Sequence, residues 1–193
     1  RVEVKRDGFL WAQEYKKGAP QGKVARQEKA AGTGTTVIFD PDPDIFSDIQ
    51  FDLQRVIDHL RQQAYLTKGV SIRIFDEREV KKGEEPPSYS FHFEGGIVSY
   101  VKHLNRFETL QHDNVFYVEK TQDEILVEVA LQYINDIETR EISFANNIHT
   151  IDGGMHLTGF RTALTRVLND YARKNNLMKE DDENISGEDA REG

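Results

Sequence analysis

The sequence contains no cysteine. Disulfide frameworks, thiolate zinc sites and thiol nucleophiles are therefore excluded, and a reducing compartment is compatible with the chain. No apolar run approaches the ~18–20 residues that a membrane-spanning helix needs. No charged segment followed by an apolar core opens the chain, so no secretory signal is visible. Proline is sparse at 5 residues and glycine follows no fixed period among its 14, which excludes a collagen-like chain. There is no G-x-S-x-G elbow, no HExxH pair and no Gly-Lys-Ser/Thr ending to a phosphate loop. The chain begins at Arg1 without methionine and stops at Gly193, which is read as an excerpt from a longer polypeptide.

What is present is a chain of 193 residues, 37% hydrophobic and 31% charged, enough for one large domain or two small ones. The formal net charge of -9 is uneven. Residues 179–193 carry seven acids and two bases, so more than half of the excess sits in the last fifteen positions. An acidic total of this kind opposes indiscriminate phosphate binding over the whole surface, while leaving room for a local basic patch.

Hydrophobic periodicity predicts an α+β chain. Val2 and Val4 alternate with charges, Asp7-Gly8 is a two-residue turn signal, and Phe9 to Tyr15 resumes as a strand. Residues 21–31 are polar and small, an exposed loop or a weak strand. Thr35 to Phe39 is β-branched and aromatic and predicts a buried strand, stopped by Asp40-Pro41-Asp42-Pro43. Leu53, Val56, Ile57, Leu60 and Ala64 lie on one face of a helix ending at Lys68-Gly69. Strands follow at 70–75 and around Tyr89 to Phe93, with a charged loop at 77–87 and a short helix at 97–104. Ile125, Val127, Val129, Leu131 and Tyr133 recur at period two. Glu141 to Ala145 is expected to pair with that strand through Asn135-Asp136. A long helix starts after Gly153-Gly154, with an apolar stripe from Leu157 to Tyr171. The acidic segment after Met178 reads as loop. An element break falls near 94–96, where a strand ends at a glycine pair, giving segments 1–95 and 96–193.

On residue chemistry alone, function stays open. Gly32-Thr33-Gly34-Thr35 is either a turn before a strand or a close backbone approach to a ligand. His149 and His156 straddle a glycine pair, but lack the spacing and further ligands of a metal site, so no metal residue is assigned. His156 is expected to contact backbone or a neighbouring loop. Arg161 and Arg166 flank the stripe of the long helix, either as a solvent-facing pair or as a phosphate contact. No catalytic residue is assigned.

Longer strings add a resemblance. Gly34-Thr35-Thr36-Val37-Ile38-Phe39 with Pro41-Asp42 and Ile45-Phe46 is similar to a segment of the B-type subunits of bacterial type IIA topoisomerases. So are Ala64-Tyr65-Leu66-Thr67-Lys68-Gly69-Val70, Phe93-Glu94-Gly95-Gly96-Ile97, and Val127-Glu128-Val129-Ala130-Leu131-Gln132-Tyr133. Ser143-Phe144-Ala145-Asn146-Asn147-Ile148, Gly153-Gly154-Met155-His156-Leu157-Thr158-Gly159-Phe160-Arg161 and Gly187-Glu188-Asp189-Ala190-Arg191-Glu192-Gly193 complete the series in family order. Met155 and Tyr65 depart from the family's usual Thr and Phe.

The resemblance implies that residues 1–95 form the C-terminal portion of a GHKL (Bergerat-type) ATP-binding domain. Residues 96–193 then form the N-terminal portion of a transducer domain like ribosomal S5 domain 2. It implies Thr35 and Val37 in the adenine pocket, Arg6 at the pocket mouth where inhibitors of these proteins rest, and Arg161 facing DNA. ATP with Mg2+ is the implied cofactor pair, the Mg2+ ligands lying outside these residues with the catalytic Glu-Asn helix, the lid and the transducer Lys. Implied partners are DNA, a second B subunit and the A subunit in an A2B2 assembly, in the cytoplasm and with no membrane. Gyrase and topoisomerase IV are not separated by these strings. The alternatives are a non-catalytic S5-like module holding RNA or protein, and another GHKL ATPase such as a mismatch-repair protein. The first has no need of Arg6 and Gly34-Thr35; the second is not expected to carry the strings at 153–160 and 187–193.

Overall fold

The computed structural model describes residues 1–192 and divides into two compact units, 1–52 and 53–193. The expected segment boundary at 95/96 therefore falls inside the second unit.

The first unit is a four-stranded antiparallel sheet. Strands β1 (Val2–Arg6), β2 (Phe9–Gln13), β5 (Ala25–Lys29) and β6 (Gly34–Val37) run in the order β5-β2-β1-β6. The short strands β3 (Tyr15–Lys16) and β4 (Ala19–Pro20) form a separate hairpin. Asp7 and Gly8 join β1 to β2 with φ of 54° and 79°, the twist that a two-residue hairpin requires. Lys17 and Gly18 repeat it with φ of 49° and 79°. Among the described residues, Ala12 is the one buried residue of this unit.

The strand predicted as buried at 35–39 is instead β6, an exposed sheet edge with Val37 at 63% exposure. β6 pairs on one side only, with β1, so its β-branched residues meet one neighbour rather than two. The strand also ends earlier than predicted, although Ile38 still exchanges hydrogen bonds with Arg1 across the pair.

The second unit begins with α1 (Leu53–Leu66), whose buried residues are Ile57, Ala64 and Tyr65. Strands β7 (Ser71–Phe75) and β8 (Ser88–His92) form a hairpin, with Ile72 and Ile74 on its more sheltered face. Helix α2 (Gly96–Leu104) leads to a second hairpin, β9 (Phe116–Gln122) and β10 (Ile125–Leu131), in register from Phe116↔Leu131 to Gln122↔Ile125.

The expected pairing of 141–145 with β10 does not form. β11 (Phe144–Ala145) pairs with β12 (Ile148–His149) instead. Asn146 and Asn147 adopt φ of 49° and 64°, which asparagine tolerates better than most residues, and so close a local hairpin. Ile134, beyond β10, bridges to Leu110.

Helix α3 (Met155–Lys174) starts after the Gly153-Gly154 pair, as expected. Met155 is 89% exposed and Gly154 occupies the capping position, so the departure at 155 removes no capping side chain. The acidic segment is not a free loop. Asn169 exchanges hydrogen bonds of 2.8 and 2.9 Å with Ile185, and Arg173 donates to the carbonyls of Lys179 and Asp182. A 3-10 turn at Asp189–Arg191 then buries Ala190, whose carbonyl accepts from Tyr133 Oη at 2.7 Å. The segment docks through its backbone and small residues, leaving most of its carboxylates in water.

Candidate functional site

Strand geometry brings three of the four sequence-predicted site residues onto one surface. Val2, Val4 and Arg6 alternate along β1, and residues opposite one another in an antiparallel pair share a face. Thr35 lies opposite Val4 and Val37 opposite Val2. Arg6, Thr35 and Val37 therefore occupy the same face of the first unit's sheet. Trp11, opposite Val4 on the other side, shares that face. Its indole donates to the Arg6 carbonyl at 3.3 Å.

This face has the chemistry of an open ligand wall. The Arg6 side chain is 77% exposed, and its nearest acid is its own neighbour Asp7 at 3.7 Å. Thr35 offers a hydroxyl that both donates and accepts, on an exposed edge. Val37 offers an apolar patch beside it. A base edge, a water and an anionic group are the kinds of partner that such a surface can take together.

Arg161 lies in the second unit on α3, and its side chain is part-exposed but held in an ion pair. Its Nε donates to Glu141 Oε2 at 2.9 Å, and Nη2 contacts the same oxygen. This pairing pushes the guanidinium pKa further up. Glu141 Oε1 is buried without a hydrogen bond, with Arg191 Nε 3.5 Å away as an ion pair. Arg166 is exposed. His156 contacts the preceding loop as expected, with Nε2 3.3 Å from Thr150 Oγ1.

Two groupings have no signal in the sequence. Glu141 lies twenty positions from Arg161, with no periodicity to connect them. Lys68 reads there only as a helix stop, yet its ammonium lies 2.6 Å from Tyr117 Oη, 2.9 Å from Glu119 and 2.8 Å from Glu128. A helix terminus and a strand face have no common spacing from which such a contact could be read.

An open groove of about 720 Å³ lies elsewhere in the second unit, bordered by His112, Tyr133, Asp136 and Glu192 among others. None of the four predicted residues lines it. Both ring nitrogens of His112 are engaged there, Nδ1 with the Asn114 carbonyl at 2.6 Å and Nε2 with the Tyr133 amide at 3.1 Å. Among the described residues, no group of three His, Asp or Glu side chains is placed to hold a metal ion. Among them, too, no helix is long and apolar enough to cross a membrane.

Comparison with known proteins gives a consistent picture. The profile of the family described as DNA gyrase B matches residues 96–193. The DNA gyrase B protein of Clostridium acetobutylicum is 45% identical over the whole chain. The chain spans 29% of that relative's length. Among solved structures, the 43K ATPase domain of Thermus thermophilus gyrase B, in complex with an aminocoumarin, is similar over 100% of this chain and 51% of its own. The TM-score is 0.83 at 34% identity. The gyrase B protein of Myxococcus xanthus is similar over 89% of this chain and 49% of its own, with a TM-score of 0.77 at 28% identity. The α+β arrangement is thus that of these GHKL-type ATPase structures.

Proposed function

Because this chain belongs to the DNA gyrase B family, we propose that it is part of a B subunit that couples ATP binding and hydrolysis to passage of one DNA duplex through another. The intact polypeptide is then an ATP-hydrolysing DNA topoisomerase. It works in the cytoplasm with a second B subunit and an A subunit. In this reading residues 1–95 complete the nucleotide-binding domain, and residues 96–193 begin the transducer that relays nucleotide state to the DNA-cleaving core.

The observation that carries the reading is similarity over the whole of this chain to 51% of a gyrase B ATPase domain structure, at a TM-score of 0.83. The placement of Arg6, Thr35 and Val37 on one sheet face supports their roles. Thr35 would hold the adenine edge through its hydroxyl and a water. Val37 would pack against the base, and Arg6 would stand at the pocket mouth. Bound ATP supplies the free energy of the cycle. The chain's own residues would orient its base.

Magnesium fits less well. Among the described residues no group of three His, Asp or Glu side chains is placed to hold it, and this reading expects its ligands in other parts of the protein. Arg161 would meet DNA phosphate only by sharing or leaving Glu141.

The test is nucleotide binding by the intact polypeptide. Thr35→Ala is expected to weaken binding of a non-hydrolysable ATP analogue about threefold to tenfold, the worth of one modest hydrogen bond. Thr35→Ser is expected to restore it. Equal affinity in all three proteins would remove Thr35 from the pocket.

A further inference from the structure

Hairpin β9–β10 contains an electrostatic fault. Glu119 and Glu128 lie directly opposite one another in its register. Like charges in that position repel and destabilise a strand pair. The cation that meets both carboxylates comes from outside the hairpin, from Lys68 just beyond the end of α1.

The fit of Lys68 is specific. An ammonium has three N–H donors, and three acceptors meet it: Tyr117 Oη at 2.6 Å, Glu119 Oε2 at 2.9 Å and Glu128 Oε1 at 2.8 Å. The Tyr117 hydroxyl itself lies 2.6 and 2.7 Å from the same two carboxylates, closing the cluster. The lysine stem lies where a side chain at residue 96 would otherwise go. A Cβ on Gly96 would come within 2.7 Å of Lys68 Cε, and Gly96 has a φ of +54°. The start of α2 is thus shaped to let the lysine pass.

Lys68 also ends a stretch that reaches several of the second unit's other elements. Gln62 donates to Tyr100 Oη on α2 at 3.1 Å. Gln63 donates to the Asn147 carbonyl in the β11–β12 turn at 3.0 Å, and Asn147 donates back to Thr67 at 3.2 Å. Tyr65 stacks on Phe93 at 3.7 Å and on Tyr100 at 5.0 Å. Residues 62–68 therefore link the helix to α2, the short hairpin and the long hairpin together.

We propose that Lys68 is a positioning residue that makes hairpin β9–β10 follow α1, because the hairpin's facing Glu119 and Glu128 share a cation while α1 holds the lysine between them. The inference rests on the reading that residues 1–95 belong to the nucleotide domain and residues from 96 to the relay. In that reading Lys68 carries movement from one to the other. Withdrawing α1 leaves two facing carboxylates and loosens the hairpin; returning it restores them. Lys68 takes no part in ATP chemistry.

The experiment uses the intact B subunit with its A subunit and measures ATP hydrolysed and DNA strands passed in the same reaction. Lys68→Met is expected to leave ATP turnover near wild type and to reduce strand passage per ATP about threefold to thirtyfold, the range for a residue that carries coupling. Lys68→Arg is expected to recover much of the loss. A double variant, Lys68→Met with Glu119→Gln, removes the repulsion without restoring the tether. It should keep wild-type hydrogen-exchange protection in 116–131 while remaining uncoupled. Unchanged passage per ATP in Lys68→Met overturns the proposal. So does a double variant that recovers coupling along with protection, because the lysine would then be only structural. A wild-type complex with no ATP-dependent passage overturns the functional reading itself, and the coupling role with it.

Discussion

At the scale of the residue, Tyr117 shows how the lysine cluster should behave as a titrating unit. Burial and its hydrogen bond to Glu119 push its phenol pKa up to about 12, against a partial lowering by Lys68. A folded-state pKa above the unfolded value of about 10 stabilises the fold below that value. The contribution is lost as pH rises through about 12. The expected outcome is a phenolate absorbance change missing from Tyr117→Phe, with its midpoint near pH 12 in the wild type. Glu119 has the opposite sign, its pKa lowered by Tyr117 and then by Lys68. Its contribution is present above the normal carboxylate range and disappears as pH falls through the lowered value. Ala64, at 0% exposure in α1, tests packing rather than charge. Ala64→Leu should cost about 1–3 kcal/mol by overpacking, read from the denaturant midpoint. Ala64 was legible from the 3.6-residue period. The half-buried partner of Arg161 was not, because an ion pair across twenty positions leaves no trace in a hydrophobic pattern.

At the scale of the element, the turns decide which strands pair. Asp7-Gly8 announced its hairpin, since glycine accepts φ of +79° at no steric cost. Asp123-Glu124 did not, although the two residues carry φ of 50° and 65° and close β9 to β10 in the same way. Glutamate in the left-handed region costs roughly 1–2 kcal/mol. Glu124→Gly should therefore raise the stability of the hairpin by about 1 kcal/mol, seen as slower amide exchange in 116–131. Faster exchange would mean that the Glu124 side chain holds the turn by a contact worth more than this strain. The same logic explains the misplaced partner of 141–145. Period two finds a strand, but the turn chosen by Asn146 and Asn147 sets its neighbour. The edge position of β6 was equally hidden, because β-branched composition does not say how many strands flank it.

At the scale of the whole molecule, the family strings at 34–46, 64–70, 93–97, 127–133, 143–161 and 187–193 pointed to an α+β ATPase relative, and the fold agrees. The docking of the acidic segment on α3 was invisible to composition, since it is made by backbone carbonyls and by small residues such as Ala190. In the proposed machine, nucleotide and DNA act at separate places. Arg161→Ala in the intact protein should abolish part of the DNA stimulation of ATP hydrolysis while leaving the basal rate, measured by phosphate release with and without duplex. Equal stimulation would confine Arg161 to its pair with Glu141. The 193 residues by themselves are expected to release no phosphate from ATP. The most direct measurement is plasmid topology after incubation of the intact B subunit with its A subunit. Duplex passage that requires ATP, and is lost when ATP is omitted, is the predicted result. Passage that proceeds equally without nucleotide, or none with it, would contradict the proposed coupling.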